Sequence, residues 1–329
     1  MLSRSFASLL LLSLPFAAAC DDSQTVTKDA ARLITASGPH VVVAASSETT
    51  TPSLGCGGGG DPQLGPGVLF VSDDTGATFE RIVPENMAAL TRIGVKDGVF
   101  YGIAQEGFSF AVMTSGDGRT WTKVAAHDGE PHDLSISDGG LAIAYSQGVL
   151  TSTDGSTWLD HPMTSSLYAP SVVQVGEQLV VGSAADGSLH LATGNTWTTR
   201  SVYGMTAIWE LIPAANALLV TGTASFDAGP TVFTIARVDL ASDARPTYAD
   251  GFTTHPVVTP AGLLDTSGEL APIEGNSVGA LAPFVDPFES AIVDGQNVRV
   301  LRSGTISTSV DGGRTFGTAV ALPIVSIAQ

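Results

Sequence analysis

Two histidines and three carboxylates lie within seven residues of this chain, at positions 127–133. Imidazole nitrogens and carboxylate oxygens are ligands of zinc and calcium ions, so this segment could hold a metal. Its spacing matches no strong metal signature, and a polar surface loop is the more ordinary interpretation. We leave the metal open and treat the segment, with histidines from two other predicted links, as a candidate binding face. The candidate residues are His127, Asp128, Glu130, His132, His161 and His255.

The first twenty residues have the parts of a secretory signal. Arg4 provides a positive charge, residues 6–16 form an apolar run too short to span a bilayer comfortably, and three alanines precede Cys20. This arrangement resembles a bacterial lipobox, in which the cysteine is acylated and becomes the new N-terminus. The first alanine stands where leucine is usual, which leaves ordinary signal-peptide cleavage as the alternative. We predict lipidation at Cys20 and anchoring in the bacterial cell envelope, facing the periplasm or the cell surface.

The composition is acidic and rich in turn-forming residues. The formal net charge is −18, with 32 Asp and Glu against 14 Lys and Arg. A nucleic-acid backbone would be repelled, so we expect no nucleic-acid partner. The 37 glycines and 18 prolines favour short strands joined by turns over helices. Apolar runs at residues 99–104, 141–145 and 179–182 each follow a polar turn and predict buried strands.

One short pattern recurs along the chain: a serine, then an aspartate, usually a glycine, a threonine and an aromatic residue. The Asp and Ser side chains hydrogen-bond to nearby backbone, and glycine adopts positive φ, so each copy predicts a turn. The aromatic residue then begins the next strand and packs between sheets. The copies cover residues 72–79, 115–121, 152–158 and 309–316, with weaker copies at 192–197 and 241–248. Their defining residues are Asp74, Asp117, Asp154, Asp243, Asp311, Phe79, Trp121, Trp158, Trp197 and Phe316.

The spacing of this pattern indicates the architecture. Successive aromatic residues are separated by 42, 37, 39, 51 and 68 positions, and a four-stranded propeller blade needs about 40. The widest gap leaves room for a degenerate blade around residues 253–285. The pattern resembles the Asp-box, or BNR, repeat of sialidases and related propellers. That resemblance implies an all-β fold with the turns between third and fourth strands, away from the binding face.

We therefore predict a single β-propeller of about seven four-stranded blades, with six as the alternative. Blade one is expected at residues 30–83 and the last blade at 287–323. The tail, residues 321–328, could pair with an N-terminal strand and close the ring, which removes exposed sheet edges. The predicted organisation is a signal peptide over residues 1–19, a lipidated cysteine and polar tether over 20–29, and the propeller over 30–329.

A long loop over residues 51–67 is predicted between the second and third strands of blade one, on the candidate binding face. Its glycine-rich part, residues 55–61, lacks the lysine and hydroxyl residue of a phosphate-binding loop. Cys56 lies there without an adjacent base, so a catalytic thiol is not indicated. The loop is either a flexible insertion or a lid or partner contact. A lipidated Cys20 could not pair with Cys56, so we expect no disulfide.

Two functions remain open. The first is a cell-envelope lipoprotein whose propeller is a non-catalytic binding or scaffolding module for protein or glycan, monomeric and without a cofactor. The alternative is a sialidase-like glycoside hydrolase, and that resemblance implies three arginines and a tyrosine nucleophile at the channel mouth. An assembly factor similar to those of photosynthetic complexes would need a basic patch, for which this chain has few cations. The arginines outside the repeat pattern and its following strands are Arg32, Arg92, Arg237, Arg299 and Arg302.

Overall fold

The computed structural model describes most of the chain after residue 25. The described ranges are 26–50, 63–163, 171–176, 178–194, 196–214, 217–226, 231–241, 245–250, 256–274, 277–279 and 282–328. Every regular element in them is a β-strand. None of these ranges contains a helix long and apolar enough to cross a membrane. Cys20, Asp243 and His255, and most of the predicted loop over 51–67, lie outside the described residues.

Each of the first three blades is a four-stranded antiparallel sheet in which neighbours in sequence are neighbours in space. Short polar turns make this meander the simplest connection of consecutive strands. Blade one contains β1 (Val26–Ser37), β2 (His40–Thr50), β3 (Gln63–Ser72) and β4 (Glu80–Ile82). Blade two contains β5 (Leu90–Lys96), β6 (Val99–Glu106), β7 (Ser109–Ser115) and β8 (Thr122–Asp128). Blade three contains β9 (Pro131–Ser137), β10 (Gly140–Tyr145), β11 (Gly148–Ser152) and β12 (Leu159–Pro162).

Blades four and five continue the same meander. Blade four contains β13 (Val172–Val175), β14 (Gln178–Gly182), β15 (Ser188–Thr193) and β16 (Thr196–Ser201). Blade five contains β17 (Met205–Ala214), β18 (Ala217–Ala224), β19 (Val232–Val238) and β20 (Thr247–Asp250).

Blade six is the irregular sheet that the wide gap in the repeat pattern indicated. Its four strands are very short, and a small hairpin interrupts the chain between the third and the fourth. The strands are β21 (Val257–Thr259), β22 (Gly262–Leu264), β23 (Glu269–Ala271) and β26 (Ala282–Pro283), with the hairpin β24 (Ile273–Glu274) and β25 (Ser277–Val278). Blade seven contains β27 (Ser290–Asp294), β28 (Asn297–Arg302), β29 (Thr305–Ser309) and β30 (Val320–Ala321), followed by β31 (Ser326–Ala328).

The fold is a seven-bladed β-propeller, so seven blades are confirmed and the six-bladed alternative is wrong. The first strands of neighbouring blades contact one another, as β1 does with β5 and with β27, so they surround the central axis. The apolar runs noted in the sequence form the second strands β6, β10 and β14.

Among the described residues, the hydrophobic core consists of seven separate clusters, one between each pair of adjacent blades. Successive side chains of a strand point to opposite sides of the sheet, so a strand buried on both faces serves two clusters. In β2, Val41 and Val43 face blade seven, whereas Val42 and Ala44 face blade two. Blade-to-blade packing therefore accounts for the core.

Two boundaries differ from the sequence prediction. The first strand begins at Val26, so four residues of the predicted tether are part of the propeller. They are held there because β31 pairs with Val26, Thr27 and Lys28, as the predicted ring closure required. The last five residues of the predicted loop, 63–67, belong to β3 because Gln63 and Leu64 extend the ladder with β2.

A buried ion pair fastens this closure. The Asp29 carboxylate is almost fully buried and accepts hydrogen bonds from Arg81 Nε at 2.7 Å, from Arg81 Nη2 at 2.8 Å and from the Val325 N–H at 2.9 Å. The Asp29 N–H also donates to the Val325 carbonyl. Burial acts to raise the pKa of Asp29, but the bonds from Arg81 and Val325 outweigh it and hold that pKa below its usual value. One carboxylate thus joins the first strand, the outer strand of blade one and the C-terminal tail.

We expect Asp29→Ala to lower the free energy of unfolding by about 3 kcal/mol, because it leaves the Arg81 guanidinium without its buried partner. Chemical denaturation of the full chain measures this loss. Lys123→Ala is the control: Lys123 pairs with Glu106 within one sheet, but the two side chains are 46% and 44% exposed, and such pairs contribute less than about 1 kcal/mol. Equal losses in the two variants would contradict the role assigned to Asp29.

Candidate functional site

Four turns between third and fourth strands share one hydrogen-bond pattern; we call them box turns, at residues 72–79, 115–121, 152–158 and 309–316. In the second, Asp117 Oδ1 accepts the N–H groups of Arg119 and Thr120 at 2.8 Å each. Ser115 Oγ donates to the same carboxylate and accepts the N–H of Gly118 at 2.8 Å. Asp74, Asp154 and Asp311 make the equivalent bonds in the other three.

In the second, third and fourth box turns the glycine lies against the preceding blade. Gly118 has φ +73°, and a Cβ there would lie 2.4 Å from Val42 Cγ2 in blade one. Gly155 has φ +74° and is in the same relation to Tyr101 of blade two. Two features therefore require glycine at these positions: a backbone conformation that disfavours side chains, and the close approach of the neighbouring sheet.

The aromatic residue of each copy packs into the cluster between its own blade and the preceding one. Phe79, Trp121, Trp158, Trp197 and Phe316 each lie against a different inter-blade cluster, and so does Tyr248 of the weak copy in blade five. Trp197 lies within β16 rather than before it. Blade six has the hairpin residue Val278 in this place.

The box turns and the first-strand starts lie at opposite ends of the ring. In a four-stranded meander the first strand begins at the end of the sheet away from the third-to-fourth turn. The end where the first strands begin is therefore the face opposite the box turns, and we call it the open face.

Four first strands carry a β-bulge on the open face. Among the described residues, the unpaired ones are Arg32 in β1, Thr91 in β5, His132 in β9, and both Thr206 and Trp209 in β17. A bulge turns a side chain away from its expected side and is common at barrel rims and beside binding sites. These register shifts change which side chains of the inner strands face the central axis.

The bulged strands surround the central cavity, a space of about 790 Å³ lined by residues from all seven blades. Trp209 and Phe233, which are 38% and 49% exposed, lie in its wall. Burial holds the pKa of His132 below its usual value, so its ring is neutral near pH 7. The charged and aromatic lining residues are Arg92, Glu130, His132, Asp133, Trp209, Glu210, Phe233 and Glu289.

Hydrogen bonds tie the wall of the central cavity together across four blades. Arg92 of blade two donates to the His132 carbonyl of blade three. Asp133 Oδ2 accepts the Ser171 hydroxyl at 2.6 Å in blade four, and Ser171 Oγ accepts the Leu211 N–H at 3.1 Å in blade five. The wall is therefore a fixed surface rather than a set of independent loops.

The residues of the predicted binding face divide into three groups. Glu130 and His132 line the central cavity. Asp128 lines a groove of about 530 Å³ between blades two and three, together with Phe108 and again Glu130. His127 and His161 do not reach either space: His127 packs on the Tyr145 ring, with centroids 4.6 Å apart, and His161 lies 2.9 Å from Thr151 Oγ1. In the described ranges no three His, Cys, Asp or Glu side chains gather as a metal site would require.

Sequence reasoning missed most of this cavity. Glu210, Glu289 and Phe233 are single residues in ordinary strands or links, with no pattern to mark them, whereas Asp133 belongs to the segment 127–133 but was not among the six candidates. Trp209 had a usable signal, because it is the one tryptophan outside the repeat pattern. The bulges that direct His132 and Trp209 depend on pairing register, which the sequence alone does not contain.

Of the five candidate arginines, Arg92 is the only one among the described residues that line the central cavity. Arg32 and Arg302 pair with Glu48 and Asp286 elsewhere. Arg299 is buried in β28. The described lining also contains no tyrosine, so the three-arginine arrangement with a tyrosine is not assembled there.

Comparison with solved structures gives the same architecture. The extracellular domain of BT4673 from B. thetaiotaomicron has a TM-score of 0.53 at 9% identity, covering 88% of this chain and 40% of that one. Sqt1 from Saccharomyces cerevisiae has a TM-score of 0.52 at 9% identity, covering 92% and 89%. AztD from Citrobacter koseri has a TM-score of 0.49 at 10% identity, covering 93% and 98%. No family model and no curated protein matches the sequence. The similarity to the first two of these structures agrees with the class that the seven blades define, the β-propellers, and concerns the fold alone.

The box-turn carboxylates have depressed pKa values. Hydrogen bonds, first from the Thr78 hydroxyl and then from Ser72, lower the pKa of Asp74 to about 2. Backbone N–H groups of Thr157 and Ser156 hold the pKa of Asp154 well below its usual value. A depressed folded-state pKa stabilises the fold above the ordinary carboxyl pKa, and this stabilisation is lost as the pH falls through the folded-state pKa.

We expect Asp74→Asn to be less stable than the wild type at pH 6, with a difference that shrinks steadily between about pH 4 and pH 2. The reason is that the wild-type carboxyl becomes protonated over that range and loses its acceptor strength. Denaturant unfolding as a function of pH measures it. Asp97→Asn, at a turn where the side chain is 86% exposed, should differ little from wild type throughout. A pH-independent difference for Asp74→Asn would refute the assignment.

Proposed function

We propose that this chain is a bacterial cell-envelope lipoprotein whose propeller is a non-catalytic binding module for protein or glycan. The ligand occupies the central cavity on the open face. The observation that carries the proposal is the set of bulged first strands, because they expose His132 and Trp209 to a cavity that all seven blades line. Largely pre-formed cavities with aromatic walls and a few polar groups are typical binding sites.

We also propose that the box turns are Asp-box repeats of the BNR type. Their shared Ser–Asp bonding, the glycine against the preceding blade in three of them and the aromatic residue between sheets support this interpretation. In that case the repeats are scaffolding, and they leave the opposite face for ligands. The sialidase-like alternative receives no support from the described cavity lining, in which Arg92 is the single arginine.

The anchoring proposal rests on residues 1–25, where an apolar run precedes Cys20. We expect the full chain, expressed in a bacterium grown with labelled palmitate, to incorporate the label and to sediment with membranes. Cys20→Ser should abolish both, since it removes the acylated sulfur. Cys56→Ser is the matched control and should keep both. Labelling that persists in Cys20→Ser, or is absent from the wild type, would reject the lipoprotein assignment.

The binding proposal is tested with the immobilised full chain and a defined panel of soluble glycans and envelope-derived peptides. We expect Trp209→Ala to lower the affinity for a bound ligand by at least about tenfold, because that ring lines the cavity and aromatic anchors dominate such sites. Val310→Ala is the control, since Val310 is 73% exposed on a box turn at the other face.

Equal binding by wild type and Trp209→Ala would place the ligand elsewhere and overturn the proposal. Panel glycans are recovered and weighed by mass spectrometry after incubation. Intact glycans agree with a binding module, whereas cleavage would restore the hydrolase alternative.

A further inference from the structure

The central cavity carries a strong excess of negative charge. Glu130, Asp133, Glu210 and Glu289 line it, against one cation, Arg92. The Arg92 guanidinium donates to the backbone carbonyls of Thr91 and His132, and its Nε lies 3.9 Å from Asp133 Oδ1, so this cation pairs with one of the four carboxylates. An anionic ligand would face four carboxylates, whereas a cationic one gains from them and from the net charge of −18.

The exposed aromatic residues of the cavity favour the same kind of ligand. Trp209 and Phe233 present ring surface to a space that also holds carboxylates. A ring face attracts an ammonium or guanidinium group, and the attraction grows when the cation is partly desolvated. Aromatic faces combined with carboxylates are therefore suited to a lysine or arginine side chain.

A second, smaller space shares one lining residue with the central cavity. The groove between blades two and three is lined by Phe108, Asp128 and Glu130, and Glu130 is also part of the central cavity wall. Phe108 is 93% exposed at its outer end, and no lysine or arginine is among the groove's described lining residues. The two spaces adjoin at Glu130, and we call them together the anionic path, with Phe108 in the groove and Trp209 in the central cavity.

We infer that this path binds an extended basic polypeptide segment, with a lysine or arginine side chain in the central cavity against Trp209 and Phe233. The inference rests on the proposed binding function of the open face and specifies its ligand. A path of two adjoining spaces suits a chain rather than a single amine, and the apolar ring of Phe108 offers contact to an aliphatic stem or apolar neighbour of the segment. A neutral glycan would gain no charge–charge attraction from the four carboxylates.

The test is fluorescence anisotropy of the full chain with a labelled peptide of about ten residues in which lysine alternates with serine. We expect saturable binding that weakens as salt rises from about 0.05 to 0.5 M, since the contact is largely between charges. Glu130→Gln and Trp209→Ala should each weaken binding by about fivefold or more. Asp97→Asn removes the same charge as Glu130→Gln but at a turn on the box-turn face, and it should leave binding within about twofold. Thermal unfolding confirms that each variant is folded.

The following results would overturn the inference. Equal weakening by Asp97→Asn and Glu130→Gln would show attraction to the acidic surface at large, and equal binding of a glutamate–serine peptide would remove the charge argument. Spermidine displacing the peptide at matched charge would identify a small amine instead of a polypeptide. If the basic peptide fails to bind while a panel glycan binds and is lost in Trp209→Ala, the inference is wrong and the proposed binding function stands. If no ligand depends on Trp209, both are wrong.

Discussion

The structure depends on how each sheet packs against the preceding one. A box-turn carboxylate collects the N–H groups of its own turn, as Asp117 does for Arg119 and Thr120, and this holds the glycine at positive φ against the preceding blade. The aromatic residue that follows fills the gap between the two sheets, as Trp121 does between blades one and two. Because the core is seven separate clusters rather than one centre, these repeated contacts set the ring.

This constraint also leaves one face of the ring without box turns. The box turns occupy one end of the ring, and the bulges of the first strands lie toward the other end, the open face. Hydrogen bonds from Arg92 through Asp133 and Ser171 to blade five fix the wall there. The net charge of −18 favours the approach of a partner of opposite charge. Scaffold and candidate site are thus separated by face, although the same first strands contribute to both.

The sequence contained the fold because its decisive signals are local. A serine, an aspartate and a glycine within a few residues determine a turn, and the spacing of Trp121, Trp158 and Trp197 determines a blade. Blade six was indicated only by a gap, since Val278 of a hairpin replaces its aromatic residue. The site was largely hidden because register, not composition, directs Trp209 inward, and Phe233 has no sequence mark. Asp29 was assigned to the tether since its partner, Arg81, lies 52 residues away.

The most direct test of the contact between a box-turn glycine and the preceding blade is the stability of two glycine variants. Gly118 and Gly98 both have positive φ, +73° and +80°, but a Cβ at Gly118 meets Val42 of the preceding blade whereas one at Gly98 meets nothing within 4 Å. Gly98→Ala should lower the free energy of unfolding by about 1 kcal/mol through backbone strain alone. Gly118→Ala should lower it by about 1 to 3 kcal/mol more, because it also forces the blades apart. Equal losses in the two variants would contradict the account.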